Sequence, residues 1–108
     1  MDRKELIKKI KKFKEKISKK YSLSNFILFG SMATGKPHKD SDVDLIVVSK
    51  DFEGVKSFKR SPNLYIEWHT KSKIDYPVDF LCYTPEEFNK LKNQVTIVSE
   101  AIKNGVEI

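Results

Sequence analysis

The sequence is short of the features that stiffen secreted or membrane-bound chains. It has one cysteine in 108 residues, Cys82, so no internal disulfide can form, and no Cys/His cluster with zinc-ligand spacing is present. Long apolar runs are missing, which excludes a membrane-spanning helix of the usual length. The first residues, MDRKELIKKIKKFKEK, are charged throughout and lack the apolar stretch of a secretory signal. Only four glycines and four prolines punctuate the chain, with no repeat, linker or low-complexity segment. A cytoplasmic location is the expectation, with no membrane partner.

Acidic charge is also in deficit. Lys and Arg total 21 against 15 Asp and Glu, a net charge of +6, which favours polyanionic company. Much of that charge sits in one element: Lys8, Lys9, Lys11, Lys12, Lys14, Lys16, Lys19 and Lys20 crowd the first twenty residues. A solvated helix face is the favoured reading of this run, and a nucleic-acid-binding surface the less favoured one. Hydrophobic residues at 39% and charged residues at 33% are ordinary for a globular protein, and the length suits a single domain over 1–108.

What is there reads as a small α/β chain. Leu6, Ile7, Ile10, Phe13 and Ile17 recur at three- and four-residue steps, predicting an amphipathic helix over 3–20. Phe26–Phe29 reads as a short buried strand ended by Gly30, and Ser31–Gly35 as one or two helical turns. The β-branched run Val43–Val48 predicts a central strand. Residues 51–76 read as short helices or loops rather than strands. Val78–Tyr83 reads as a third strand. After it, Thr84 as N-cap, Pro85 at the first position, Glu86 and Glu87 in the first turn and Gly105 as the stop predict one helix over 84–105. The expected architecture is α/β (α+β), a small mixed β-sheet packed with helices.

The stretch "FILFGSMATGKPHKDSDVDLIVV" carries the chemistry. Gly30, Gly35 and Lys36 have the spacing of a P-loop, but Pro37 stands where the magnesium-ligating hydroxyl must be, and proline has no N–H for a phosphate cradle. The segment also runs into a strand instead of a long helix. A P-loop is therefore excluded.

Asp42 and Asp44 support a different site. They stand two apart at the entrance of a strand, so their carboxylates share a face, about 6.6 Å apart at Cα. Two hard oxygen donors there suit a divalent metal, Mg2+ above all, with phosphate and water completing its shell. Asp79, one residue into the next β-run, is the candidate third acid if its strand neighbours the first. Gly30 lets a phosphate approach the backbone, and the Ser31 hydroxyl with the N–H groups of the following turn would bind an anion. The plainer alternative for Asp42 and Asp44 is a turn before a strand, since "KDSD" is good turn sequence. Asp40 is read as a turn residue only.

These elements together, "GSMATGKPHKDSDVDLIVV" and the later "VDFLCYTPEEF", resemble the minimal nucleotidyltransferases (MNT), the short branch of the DNA polymerase β-type superfamily. The resemblance spans about residues 24–90 and rests on three separated elements: Gly-Ser, Asp-x-Asp and a later strand acid. It implies the polymerase β-like nucleotidyltransferase fold, with Asp42, Asp44 and Asp79 as metal ligands or catalytic acids, and Gly30 and Ser31 holding the triphosphate. The implied reaction is Mg2+-dependent transfer of a nucleoside monophosphate, AMP from ATP, to a hydroxyl. The resemblance also suggests an acceptor, a tyrosine of a HEPN-domain toxin partner, and so an antitoxin role. A non-catalytic partner-binding module and a basic nucleic-acid binder are the alternatives. His38 and His69 lack partner spacing and read as surface residues, Cys82 as a small core residue, and Tyr65, Trp68 and Tyr76 as packing or interface aromatics.

Overall fold

A computed structural model describes residues 3–30, 32–33 and 42–108. Helix α1 (Arg3–Ile17) buries Leu6, Ile10, Phe13 and Ile17, the stripe that the periodicity predicts. Its exposed side carries Lys4, Lys8, Lys9, Lys11, Lys12 and Lys16.

Four strands follow in one sheet: β1 (Leu23–Phe29), β2 (Val43–Ser49), β3 (Val78–Tyr83) and β4 (Val106–Glu107), in the spatial order β3-β2-β1-β4. β2 is antiparallel to β1 and parallel to β3, and β4 is antiparallel to β1. The β1–β2 pair therefore forms a hairpin-like unit, while the parallel β2–β3 pair needs the crossover that residues 50–77 supply. This mixed sheet with helices on both faces is the α+β architecture expected from the sequence.

Side chains alternate along β2 between two cores. Val43, Leu45 and Val47 join the larger core with α1, Phe26, Leu28, Trp68 and Phe80. Ile46 and Val48 join the smaller one with Ile27, Phe88, Val98 and Ala101. The larger core is rich in rings: Trp68 meets Phe13 at 5.1 Å and Phe80 at 5.9 Å, both near-perpendicular. Its indole N–H donates to the Tyr76 carbonyl at 2.9 Å. Trp68 is thus a core residue.

The crossover is helical and irregular, as anticipated. It contains 3-10 turns at Lys50–Phe52 and Ser57–Lys59, a short helix α2 (Pro62–Ile66) and a turn of π-helix at Glu67–Lys71. Two of its side chains blunt the open edge of β3. The Tyr65 hydroxyl accepts from the Phe80 N–H at 3.3 Å, and Arg60 donates to the Cys82 carbonyl at 3.2 Å. Side chains here occupy backbone positions that would otherwise invite another strand. Arg60 also bonds the Val55 carbonyl at 2.8 Å and both carboxylate oxygens of Glu87, so one buried guanidinium ties the crossover, β3 and the next helix together.

The last helical segment corrects the sequence reading. The single helix expected over 84–105 is two: α3 (Pro85–Leu91) and α4 (Ile97–Asn104). The start at Thr84 and Pro85 is as anticipated, with a reciprocal cap between Thr84 and Glu87. The break comes from side chains that compete with the helical backbone. The Thr96 hydroxyl donates to the Leu91 carbonyl at 2.7 Å, and the Asn93 side-chain amide to the Asn89 carbonyl at 3.1 Å. Thr96 then caps α4 in a second reciprocal box with Ser99. Gly105 ends α4, as expected, and lets the chain turn back: a Cβ there would fall 2.8 Å from the Leu28 carbonyl oxygen. That turn delivers β4, a strand the sequence reading lacked.

Candidate active site at one end of the sheet

The alternation that builds the two cores also aims the acids. Asp44 lies in the same series as Ile46 and Val48, on the face that α3 and α4 cover. Asp79 belongs with Leu81 and Tyr83, since Val78 and Phe80 point into the other core. In the parallel ladder Asp44 stands opposite Asp79, so the two side chains leave one face on adjacent strands, with backbones about 4.8 Å apart. The Val43 N–H donates to the Pro77 carbonyl at 2.8 Å and pins the start of that ladder. Asp42, just ahead of β2, is exposed, as is Asp79, while Asp44 is half-buried.

Gly30 closes the row on the other side. Phe29 is the register partner of Asp44 across β1 and β2, so Gly30 follows immediately beyond it. Its φ of +77° is in the left-handed region that favours glycine. A Cβ at Gly30 would stand 2.5 Å from Asp44 Oδ2, so glycine here is what makes room for the carboxylate. Across the end of the sheet the order is Gly30, Asp44, Asp79. Ser31, with Gly35, Lys36, His38 and Asp40, lies outside the described residues, apart from which Met32 and Ala33 form a turn closed by the Ala33 N–H on the Gly30 carbonyl at 3.1 Å.

Electrostatics record the crowding. Asp44 is held above the ordinary carboxylate range, first by burial, then by the negative charges of Asp79 and Asp42. Among the described residues, no three His, Cys, Asp or Glu side chains converge tightly enough to form a complete ligand set. The donor chemistry still fits magnesium, which takes one or two carboxylates and fills its shell with water and phosphate oxygens. Asp42 and Asp44, with Asp79 beside them, are hard oxygen donors of that kind.

The other candidates fall elsewhere. His69 is on the surface, and Tyr65 and Tyr76 pack against the larger core. Cys82 is half-buried and its thiol is pushed up to about 12, chiefly by burial, so it is no nucleophile. A cavity of about 520 Å3 runs along β3 from Phe80 to Tyr83, between Arg60 on the crossover and Lys90 and Leu91 on α3. One residue near the site gave no signal in the sequence: Arg3, whose guanidinium reaches the turn after Gly30. An arginine inside a lysine-rich helix reads as one more surface cation. No helix among the described residues is long and apolar enough to cross a membrane.

A family model described as a nucleotidyltransferase domain matches residues 10–104. Among solved structures, a candidate nucleotidyltransferase from Sulfolobus solfataricus superposes with a TM-score of 0.62, at 21% identity, over 97% of this chain and 80% of that chain. The likeness is one of fold, and it covers nearly all of this chain and four-fifths of the other. A second candidate nucleotidyltransferase, 26% identical over 81% of this chain and 87% of that chain, superposes at 0.48, too low to add to the argument. A comparison with curated proteins gave no match.

Proposed function

The chain belongs to the nucleotidyltransferase-domain family, and on that premise we propose that it transfers a nucleoside monophosphate, AMP from ATP, to a hydroxyl group, with Asp42, Asp44 and Asp79 as the acidic centre. The observation that carries this reading is the side-by-side placement of Asp44 and Asp79 on one face, with Gly30 making room for the Asp44 carboxylate. A sheet with no chemistry at this end would gain nothing from crowding two acids there, since each raises the cost of ionising the other.

In this reading Asp42 and Asp44 would hold Mg2+, which supplies charge neutralisation for the triphosphate and for the departing pyrophosphate. Gly30 and Ser31 would receive the phosphates, the glycine by admitting close approach and the serine through its hydroxyl. Asp79 lies on the far side of Asp44 from Gly30, and in this reading it would act on the acceptor. Its carboxylate takes the proton of the acceptor hydroxyl. The oxygen so freed bonds to the α-phosphorus, the bond from that phosphorus to the β-bridging oxygen breaks, and pyrophosphate leaves with the electron pair.

The acceptor belongs to the same proposal. The cavity beside β3 is lined by Leu81, Tyr83 and Leu91, and its cations are already matched: Arg60 binds Glu87, and Lys90 lies 3.6 Å from Glu86. A neutral, largely apolar surface favours a polypeptide over a phosphate backbone, which calls for unpaired cations. A tyrosine of a HEPN-type partner, and hence an antitoxin role, is the acceptor proposed. The test is incubation with Mg2+ and α-labelled ATP, with and without the protein encoded beside it. Label is expected on a protein hydroxyl. Its absence, there and with each other α-labelled nucleoside triphosphate tried in turn, would leave the rival reading, a module that acts by covering its partner.

A further inference from the structure

The turn after Gly30 is held from outside by a residue that is far away in sequence. Arg3, in the first turn of α1, donates from Nε to the Met32 carbonyl at 3.0 Å and from Nη2 to the Ala33 carbonyl at 3.1 Å. The same turn is closed internally by the Ala33 N–H on the Gly30 carbonyl. Met32 and Ala33 are both buried, so their side chains fix the turn from below while the guanidinium fixes its carbonyls. The arm is rigid at its root as well, because α1 is seated by Leu6, Ile10, Phe13 and Ile17 in the core opposite the acids.

Arginine is suited to this task for a geometric reason. Its donors form a planar fork, so two carbonyls bonded to one guanidinium are fixed relative to each other. A lysine offers the same charge from a flexible stem without the fork. Drawing the Met32 and Ala33 carbonyl oxygens to one cation fixes those two groups relative to each other. It also leaves a full positive charge about 3 Å from a backbone segment that begins at Gly30. Both effects favour an anion beside the turn. Ordering a loop around a bound polyphosphate costs conformational entropy, and a turn already held has less of it to lose on binding.

We infer that Arg3 is a positioning residue for the polyphosphate of the nucleotide, acting through its grip on Met32 and Ala33 to preorganise the Gly30 turn. The inference rests on the nucleotidyltransferase reading and adds to it a residue from the opposite layer of the fold. It makes the first turn of α1 part of the nucleotide site.

The test uses calorimetric titration of the full chain with Mg·ATP and, separately, with magnesium tripolyphosphate, which has the phosphates but no nucleoside. Arg3→Ala is expected to weaken both by about tenfold, roughly 1.4 kcal/mol. Arg3→Lys is expected to fall between Arg3→Ala and wild type, since it keeps the charge and loses the fork. Hydrogen exchange at the Met32 and Ala33 amides should quicken in both variants. Unchanged affinity for both probes alongside a lowered Tm would overturn the inference and make Arg3 a structural tie only. Loss confined to Mg·ATP would also overturn it, because the effect would then lie at the nucleoside. Should Arg3→Ala not fold, the Arg3→Lys affinities decide by the same criteria. Wild-type protein that binds neither probe would overturn the nucleotidyltransferase reading itself, and this inference with it.

Discussion

Asp44 on β2 and Asp79 on β3 are register partners in a parallel pair, and both side chains leave the sheet on the face that α3 and α4 cover. Parallel strands bring equivalent positions together, so two acids near the starts of two such strands meet without any contribution from a loop. Asp42, two residues earlier, adds its charge from outside the strand.

The first prediction follows from that crowding. Burial, then Asp79, then Asp42 raise the Asp44 carboxyl in the folded state. A raised carboxyl binds more protons when folded than when unfolded, so stability falls as pH rises from the ordinary carboxylate range through the raised value, and stays lower above it. Metal-free Asp44→Asn is therefore expected to melt at a higher temperature than wild type at neutral pH, while nucleotidyl transfer is lost. Mg2+ should raise the Tm of wild type and leave that of Asp44→Asn nearly unchanged. Thermal melts with and without Mg2+ check both.

Gly30 gives the second. At φ +77° alanine is strained, by about 1–2 kcal/mol, and its Cβ would also press on Asp44 Oδ2. Gly30→Ala should lower the Tm and, by displacing the carboxylate, reduce transfer by well over about tenfold, since small displacements in a catalytic constellation are amplified. A denaturant melt paired with a transfer assay separates the two losses.

The third concerns Arg60, 7% exposed, and Glu87, whose side chain is 42% exposed. Removing the arginine frees the Val55 and Cys82 carbonyls together with a carboxylate, and Arg60→Ala should cost about 2–4 kcal/mol. Glu87→Gln should cost less than about 1 kcal/mol, because its charge is screened by water. The hydrogen bond from Arg60 depresses the Glu87 carboxyl, helped by the Thr84 backbone, and burial opposes them only in part. A depressed carboxyl stabilises the fold above its unfolded value and loses that contribution as pH falls through the folded one. Glu87→Gln should accordingly flatten the acid limb of the stability profile.

Cys82 supplies the fourth. With its thiol raised to about 12, it is protonated at neutral pH, and a thiol-specific disulfide reagent should modify native protein far more slowly than urea-unfolded protein. Equal rates would contradict the packing of β3 described above.

Three of the four strands were readable from sequence because they are β-branched or apolar, with Gly30 ending β1 and Pro77 preceding β3. The placement of Asp44 and Asp79 on one face follows from period-two alternation once β2 and β3 are neighbours. Other features left no such trace. Thr96 and Asn93 split the last helix with side-chain hydrogen bonds, yet Phe88, Leu91, Val98 and Ala101 are spaced as one continuous helix would space them. β4 is two residues long, too short for any pattern, and exists because Gly105 turns the chain back against β1. Arg3 was invisible because its partners are carbonyl oxygens 29 and 30 residues away, and backbone acceptors look alike in every sequence.

The central claim is that Asp42, Asp44 and Asp79 act together on a magnesium-bound nucleotide. Isothermal titration of Mg·ATP into wild type and into the Asp42→Asn, Asp44→Asn double variant tests it most directly, because no acceptor is needed. The account predicts Mg2+-dependent binding by wild type and a loss of at least about tenfold in the variant, with the fold intact by circular dichroism. Equal affinity in the two proteins, or wild-type binding indifferent to Mg2+, would contradict it.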